Sequence, residues 1–304
     1  MVGRNGMAPR GGRESICSRG QSDRMLIINA DDWGRSRIET DVALQCYKKG
    51  RITAVSAMVF MEDSERAAEI AKQNQIDAGL HLNFSERFTG NHYTATLEDY
   101  HQRIVRFLTR SKYSQLVYNP FLQKAFAYSY EVQIEEFGRL YGKSPSHIDG
   151  HHHMHLCANL LFSELIPSGT SMRRNFSFWP GEKNALNRAY RRLVDGWLAR
   201  KYRLPDYFFD LTQSIQEKKL DRVVAFAKSS NVELMTHPIL PLEIDFLMSD
   251  EMGVLLQNIE AGNFTRLGLV APTVQPVSPI TQHRARGERA VRHPQSNCGS
   301  RTST

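Results

Sequence analysis

Cysteine is scarce in this sequence: four residues in 304, Cys17, Cys46, Cys157 and Cys298, none in a CxxC pair. That argues against a disulfide framework or a thiolate metal site and favours a reducing compartment, with the cytoplasm as the default. No apolar run approaches the ~20 residues of a membrane span. The first 24 residues contain no apolar stretch of the signal-peptide kind. The body of the chain also lacks net charge. The formal +7 resides in the two ends, where five arginines in 1–24 and five in 271–304 face only Glu14, Asp23 and Glu288. Such a distribution gives no footprint for nucleic acid on the folded part. Both ends lack apolar periodicity and read as disordered basic tails, 1–24 and 271–304, flanking a body of residues 25–270. Met25, at the head of the first apolar run, reads as an alternative start of translation.

Within the body, short apolar runs alternate with amphipathic segments. Met25 to Asn29, Ile52 to Phe60 and Asp77 to Leu82 read as strands, separated by helical patterns over Ile38 to Lys49 and Ser64 to Asn74. Residues 84–130 interrupt this rhythm as an insertion expected to cover or edge a site. Further strands are expected near Ser146 to Asp149, Thr170 to Arg173, Asp206 to Leu211, Val232 to Thr236 and Phe264 to Val270. Helices are expected between them, among them Phe121 to Tyr141, Leu156 to Leu165, Asn184 to Lys201, Ile215 to Ala227 and Glu243 to Asn258. The pattern predicts an α/β fold, a distorted TIM-like (β/α) barrel with seven or eight parallel strands. An open doubly wound sheet is the competing architecture.

Three polar clusters fall at expected strand ends. The densest is Ser146-His147-Ile148-Asp149-Gly150-His151-His152-His153-Met154-His155, five histidines and an aspartate in ten residues. Imidazole and carboxylate are the usual ligands of a hard or borderline divalent cation. A catalytic metal needs about three protein ligands and an open position, so not every histidine need bind it; His153 and His155 could instead contact substrate or support the ligands, and Asp149 could orient an imidazole. Asp31 and Asp32 follow the opening strand, where adjacent side chains point in different directions and one carboxylate can ligate while the other faces water. The alternative role for such a pair is capping a helix. His81 closes the third strand, with Asn83 on the same face. His237, fixed by Pro238, closes the seventh and is placed to protonate a leaving group. Arg173 could hold a carboxylate or stabilise developing negative charge. Trp33, Phe84, Phe88, Tyr93, Phe176, Phe178 and Trp179 supply aromatic surface for stacking on sugar rings or for ordinary packing.

Together, Asn29-Ala30-Asp31-Asp32-Trp33-Gly34, Gly79-Leu80-His81-Leu82, His147 to His155 and Glu233-Leu234-Met235-Thr236-His237-Pro238 resemble, in order, the motifs of the YdjC-like carbohydrate deacetylases. Trp33 stands where that family usually has phenylalanine. The resemblance implies a metal-dependent hydrolase that removes acetyl groups from N-acetylated sugars, with Asp32, His81 and His151 as metal ligands, Asp31 as general base and His237 as general acid. It implies a divalent ion, magnesium first, with zinc or another divalent ion as the alternative. Residues 84–130 diverge from the family pattern, and the tails have no counterpart in its core. The sequence leaves open a hydrolase of another amide, ester or phosphoester, an inactive sugar-binding homologue, and a homodimer.

Overall fold

A strand buried on both faces is the mark of a covered parallel sheet, and all eight residues of β1 (Leu26–Trp33) are buried. The computed structural model describes residues 24–267 except 180, 181 and 183; apart from Arg24, the expected tails lie outside the described residues. Around β1 run β2 (Ala54–Ala57), β3 (Ala78–Leu82), β4 (Ile148–Gly150), β5 (Tyr207–Asp210) and β6 (Val232–Thr236). Every pairing is parallel, in the order β4-β3-β2-β1-β6-β5. A two-residue β7 (Ala261–Gly262) pairs with the start of β1.

The strands follow chain order around a ring, without the reversal of a doubly wound sheet. The wall between β4 and β5 is carried by isolated parallel bridges, Ile148 to Met172 and Ser171 to Arg203. The result is a distorted parallel α/β half-barrel of seven strands. The fifth strand expected at Thr170 to Arg173 is thus only bridges. Arg173 gives its N–H to the Ile148 carbonyl, but its own carbonyl meets the His155 Nε2 rather than a neighbouring strand. The last strand is also displaced from the expected Phe264 to Val270. Asp77 Oδ2 accepts the amides of Phe264 and Thr265, which removes them from any ladder; residues 268–270 lie outside the described ones.

The helices are α1 (Arg37–Lys48), α2 (Ser64–Gln73), α3 (Ala95–Leu108), α4 (Gln123–Tyr141), α5 (Ala158–Leu161) and α6 (Ala185–Leu198), then α7 (Leu211–Gln216), α8 (Leu220–Ala227), α9 (Pro241–Met248) and α10 (Asp250–Gln257). Local chemistry sets their ends. Ser36, Thr94, Asn184 and Asp210 accept backbone amides at the starts of α1, α3, α6 and α7. Two helices read as continuous are divided: Lys218 (φ 52°) separates α7 from α8, and the Ser249 cap separates α9 from α10. Residues 84–130 hold α3 and two short 3-10 turns before α4. Among the described residues no helix is long and apolar enough to cross a membrane.

The sheet's register brings the polar strand ends level. Ala30 lies opposite Val55 and Thr236, and His81 opposite Asp149. Gly79 makes this approach possible, because a Cβ there would stand 2.3 Å from the His147 ring.

Candidate metal centre and active site

Two neighbouring aspartates on a regular strand would project to opposite faces. Here the β1–β2 register slips between Ala30 and Trp33, and Asp32 takes a left-handed backbone at φ 64°. Such a conformation is strained for a non-glycine residue. Both carboxylates consequently lie near the same imidazole, that of His81.

Asp32 turns toward two imidazoles. Its Oδ1 lies 3.5 Å from His81 Nε2 and 2.9 Å from His151 Nδ1. Neither approach has hydrogen-bond alignment, and Asp32 Oδ1 is a buried oxygen without a hydrogen-bond donor. Lone pairs that converge on a common point rather than on each other form a suitable cation cradle, and one ligand atom from each of the three residues falls within 4.8 Å of the others. Burial opposes the charge on Asp32, but the contact with His151 and the nearby His81 outweigh it and hold the carboxyl well below its ordinary range. Burial likewise opposes a charged His81; the carboxylates of Asp149, Asp31 and Asp32 overcome it and push that imidazole up to about 9. A cation there would take over the role of that proton.

Behind the imidazoles lies a ring of supports. Asp149 Oδ1 pairs with His81 Nδ1 at 2.9 Å, directing Nε2 at the cradle. Its Oδ2 accepts from Ser56 at 2.7 Å. Arg173, with no solvent exposure, is the centre of the second layer. It grips Asp31 through two bonds of 2.7 Å, reaches Asp149 at 2.8 Å and donates its Nε to Glu233 at 2.8 Å. Its guanidinium also lies 4.9 Å over the Phe208 ring. A second group, Asp31, His81 and Asp149, has metal-like spacing. Both its carboxylates already face the Arg173 cation, so it is the poorer cradle.

Asp31 Oδ2 lies 3.9 Å from His81 Nε2 and 4.0 Å from His237 Nε2. His237 is half-buried, and its backbone N–H donates to Glu243, which also accepts from the Thr212 and Thr236 hydroxyls. Asp31 thus stands between His81 of the Asp32, His81 and His151 group and His237.

The family model described as YdjC-like protein matches residues 25–258. The chain belongs to the YdjC family. Among curated relatives, it is 27% identical over 259 residues to the chitooligosaccharide deacetylase of Proteus mirabilis, covering 77% of this chain and 91% of that one. It is 31% identical over 150 residues to the carbohydrate deacetylase of Mus musculus, covering 46% of each. A solved structure from Enterococcus faecalis, provisionally assigned to cellobiose-phosphate cleavage, superposes with a TM-score of 0.58 at 20% identity, over 81% of this chain and 99% of that one. At that identity it speaks for the fold alone.

In this YdjC chain the remaining candidates divide. His155 is buried with Nε2 on the Arg173 carbonyl. His153 faces Phe176 and Phe208, ring centroids 4.6 and 5.8 Å away, instead of the cradle. His152 (φ 51°) and His153 (φ 58°) are both left-handed, which sends consecutive imidazoles in different directions. Trp33 and Asn83 are engaged elsewhere. Trp33 is fully buried and donates Nε1–H to the Ala67 carbonyl, so its ring offers sugar no face. The Asn83 amide is consumed by its own loop: Oδ1 accepts from Ser85 and Glu86, and Nδ2 donates to the Glu86 carbonyl. Phe84 is also core. Sequence reasoning missed Glu86, whose Oε2 lies 3.1 Å from His151 Nε2, and the supports Asn29, Ser56 and Glu233. A glutamate inside the apolar run Val232 to Met235 was the available signal for the last of these. Burial raises Glu233 to about 7 despite Arg173.

The turn after β3 also rests on a neutral histidine. His101 stacks on Phe88 at 3.9 Å and places Nε2 3.1 Å from the Asn83 carbonyl; burial lowers it to about 4. As pH falls from about 6.5 to 4, the unfolded chain takes up this proton and the folded chain does not. The residue therefore removes stability over that window, on the order of 3 kcal/mol in all. Urea unfolding of the wild type and His101→Gln should show a stability gap that narrows as pH falls through this range; a constant gap would count against the assignment.

Proposed function

We propose that this chain is a metal-dependent carbohydrate deacetylase that hydrolyses the acetamido group of N-acetylated sugars to acetate and a free amine. The observation that carries the reading is the position of Asp31 Oδ2, about equally far from His81 of the cradle and from His237. A carboxylate and an imidazole within 4.0 Å of each other, beside a cation cradle, support an acid–base pair. The names of the Proteus and mouse relatives supply the substrate class.

In this scheme Asp32, His81 and His151 hold the divalent ion, magnesium first and zinc or another ion as the alternative. When bound, such an ion polarises a carbonyl and acidifies water. Arg173 fixes both oxygens of Asp31, so the carboxylate meets the attacking water in one orientation. Asp31 accepts the proton of that water as its oxygen bonds to the acetyl carbon. His237, steadied through its backbone by Glu243, gives a proton to the sugar nitrogen as the C–N bond breaks. All these residues lie in 25–270, which we take as the catalytic unit, with 84–130 as its rim. Buried free thiols at Cys46 and Cys157 suit a cytoplasmic setting.

The test is acetate release from a panel of N-acetylated mono- and oligosaccharides, using metal-stripped protein with Mg²⁺, Zn²⁺, Mn²⁺ or Co²⁺ restored. Release should be absent without metal and return with at least one ion. Release of phosphate from sugar phosphates, with no acetate from any substrate, would replace this reading with a phosphoester hydrolase.

A further inference from the structure

The two imidazoles of the cradle present different nitrogens to it. His81 turns Nε2 inward because Asp149 holds Nδ1. His151 turns Nδ1 inward, 2.9 Å from Asp32, and its Nε2 points away toward Glu86 Oε2 at 3.1 Å. That Nε2 is buried and has no aligned hydrogen bond, so a carboxylate oxygen at 3.1 Å is the acceptor a small ring rotation would reach. Glu86 itself is held firmly. Arg35 donates to both its oxygens at 2.9 Å, Asn83 Oδ1 accepts its N–H, and Asn83 Nδ2 donates to its carbonyl. Arg35 also lies 3.9 Å from Asp32 Oδ2, so the strut returns to the other side of the cradle. Glu86 is not among the residues with metal-like spacing to Asp32 and His81.

We propose that Glu86 is a positioning residue: its carboxylate accepts Nε2–H of His151 and so turns Nδ1 of that ring to the cation. The proposal rests on the metal reading above. It makes the Asn83 to Glu86 turn part of the metal centre without lending it a ligand, and it assigns Asn83 and Arg35 the task of fixing that carboxylate. A carboxylate behind an imidazole raises ligand basicity and fixes its orientation, and its loss typically weakens metal affinity ~10–100-fold.

The test measures Zn²⁺ affinity by competition with a chromophoric chelator for the wild type, Glu86→Ala, Glu86→Gln and His151→Ala. Melting of the metal-free proteins serves as the folding control. We expect Glu86→Ala to bind ~10–100-fold more weakly with an unchanged metal-free melt, Glu86→Gln to recover part of the loss through its amide oxygen, and His151→Ala to lose more than either. In ¹⁵N-histidine-labelled, Zn²⁺-loaded wild type, the His151 proton should reside on Nε2. Affinity unchanged in Glu86→Ala, a loss equal to that of His151→Ala, or a proton on Nδ1 would each overturn the proposal while leaving the metal reading intact. A wild type that binds no Zn²⁺ would overturn both.

Discussion

Asp31→Asn protein should release acetate ~10²- to 10⁴-fold more slowly than the wild type while binding the divalent cation about as tightly. The carboxamide has the same shape but cannot accept a proton from water at neutral pH. Asp31 lies beside the cradle, not in the Asp32, His81 and His151 set, so the cation loses no ligand. The exchange does disturb Arg173, which donates to both Asp31 oxygens. One of those contacts becomes donor against donor, so a modest fall in melting temperature should accompany the loss of rate. Single-turnover acetate release and cation affinity, measured on the same preparation, separate the causes. If affinity collapses together with rate, Asp31 is a ligand and its role as base is wrong.

Arg173→Met should be the most destabilising substitution in the protein. One guanidinium faces Asp31, Asp149 and Glu233, and all four groups are buried. Removing one partner of a buried pair costs about 3–5 kcal/mol, against a total stability on the order of 5–15 kcal/mol for a domain. The variant should therefore lose a large share of its stability at pH 8. Its gain of stability on acidification should also be larger than that of the wild type. Burial already raises Glu233 to about 7 against the pull of Arg173; without that cation it rises further, so the folded chain binds more protons and gains stability as pH falls toward 5. Denaturant melts at pH 8 and pH 5 test this, with Arg173→Lys expected between the two because it keeps the charge but not the fork. A stability at pH 8 within about 1 kcal/mol of the wild type would show that the three carboxylates do not depend on Arg173.

The sequence made the architecture legible because parallel strands buried on both faces read as short apolar runs. Those around Leu26, Ala78 and Val232 fall where β1, β3 and β6 lie. It was less informative where tertiary contacts override the local pattern. Thr170 to Arg173 looks like a strand, but Arg173 must turn inward to meet three carboxylates, and only bridges survive. Phe264 looks like the start of a strand, yet Asp77, far away in sequence, takes its amide. The cradle residues were marked by their motifs, and the structure brings Asp32, His81 and His151 together. Their supports were not marked: Glu86 and Ser56 are single residues whose roles come from pairing across strands and loops, which periodicity cannot report. Trp33 stayed open between stacking and packing for the same reason, since a residue beside the mouth can still point into the core.

The left-handed turn at His152 and His153 separates what the tract contains from what it does. Each such residue costs roughly 1–2 kcal/mol when it carries a side chain, and here the cost turns a row of imidazoles into a corkscrew that aims His151, His153 and His155 at three different neighbours. Grafted onto another barrel, the same five letters would therefore carry the histidines without the aim. A variant library would find isoleucine or valine at 152 and 153 damaging even though neither side chain enters the cradle, while glycine or asparagine there would preserve it. The unit that can be moved between proteins is the backbone turn, and the histidines are its cargo.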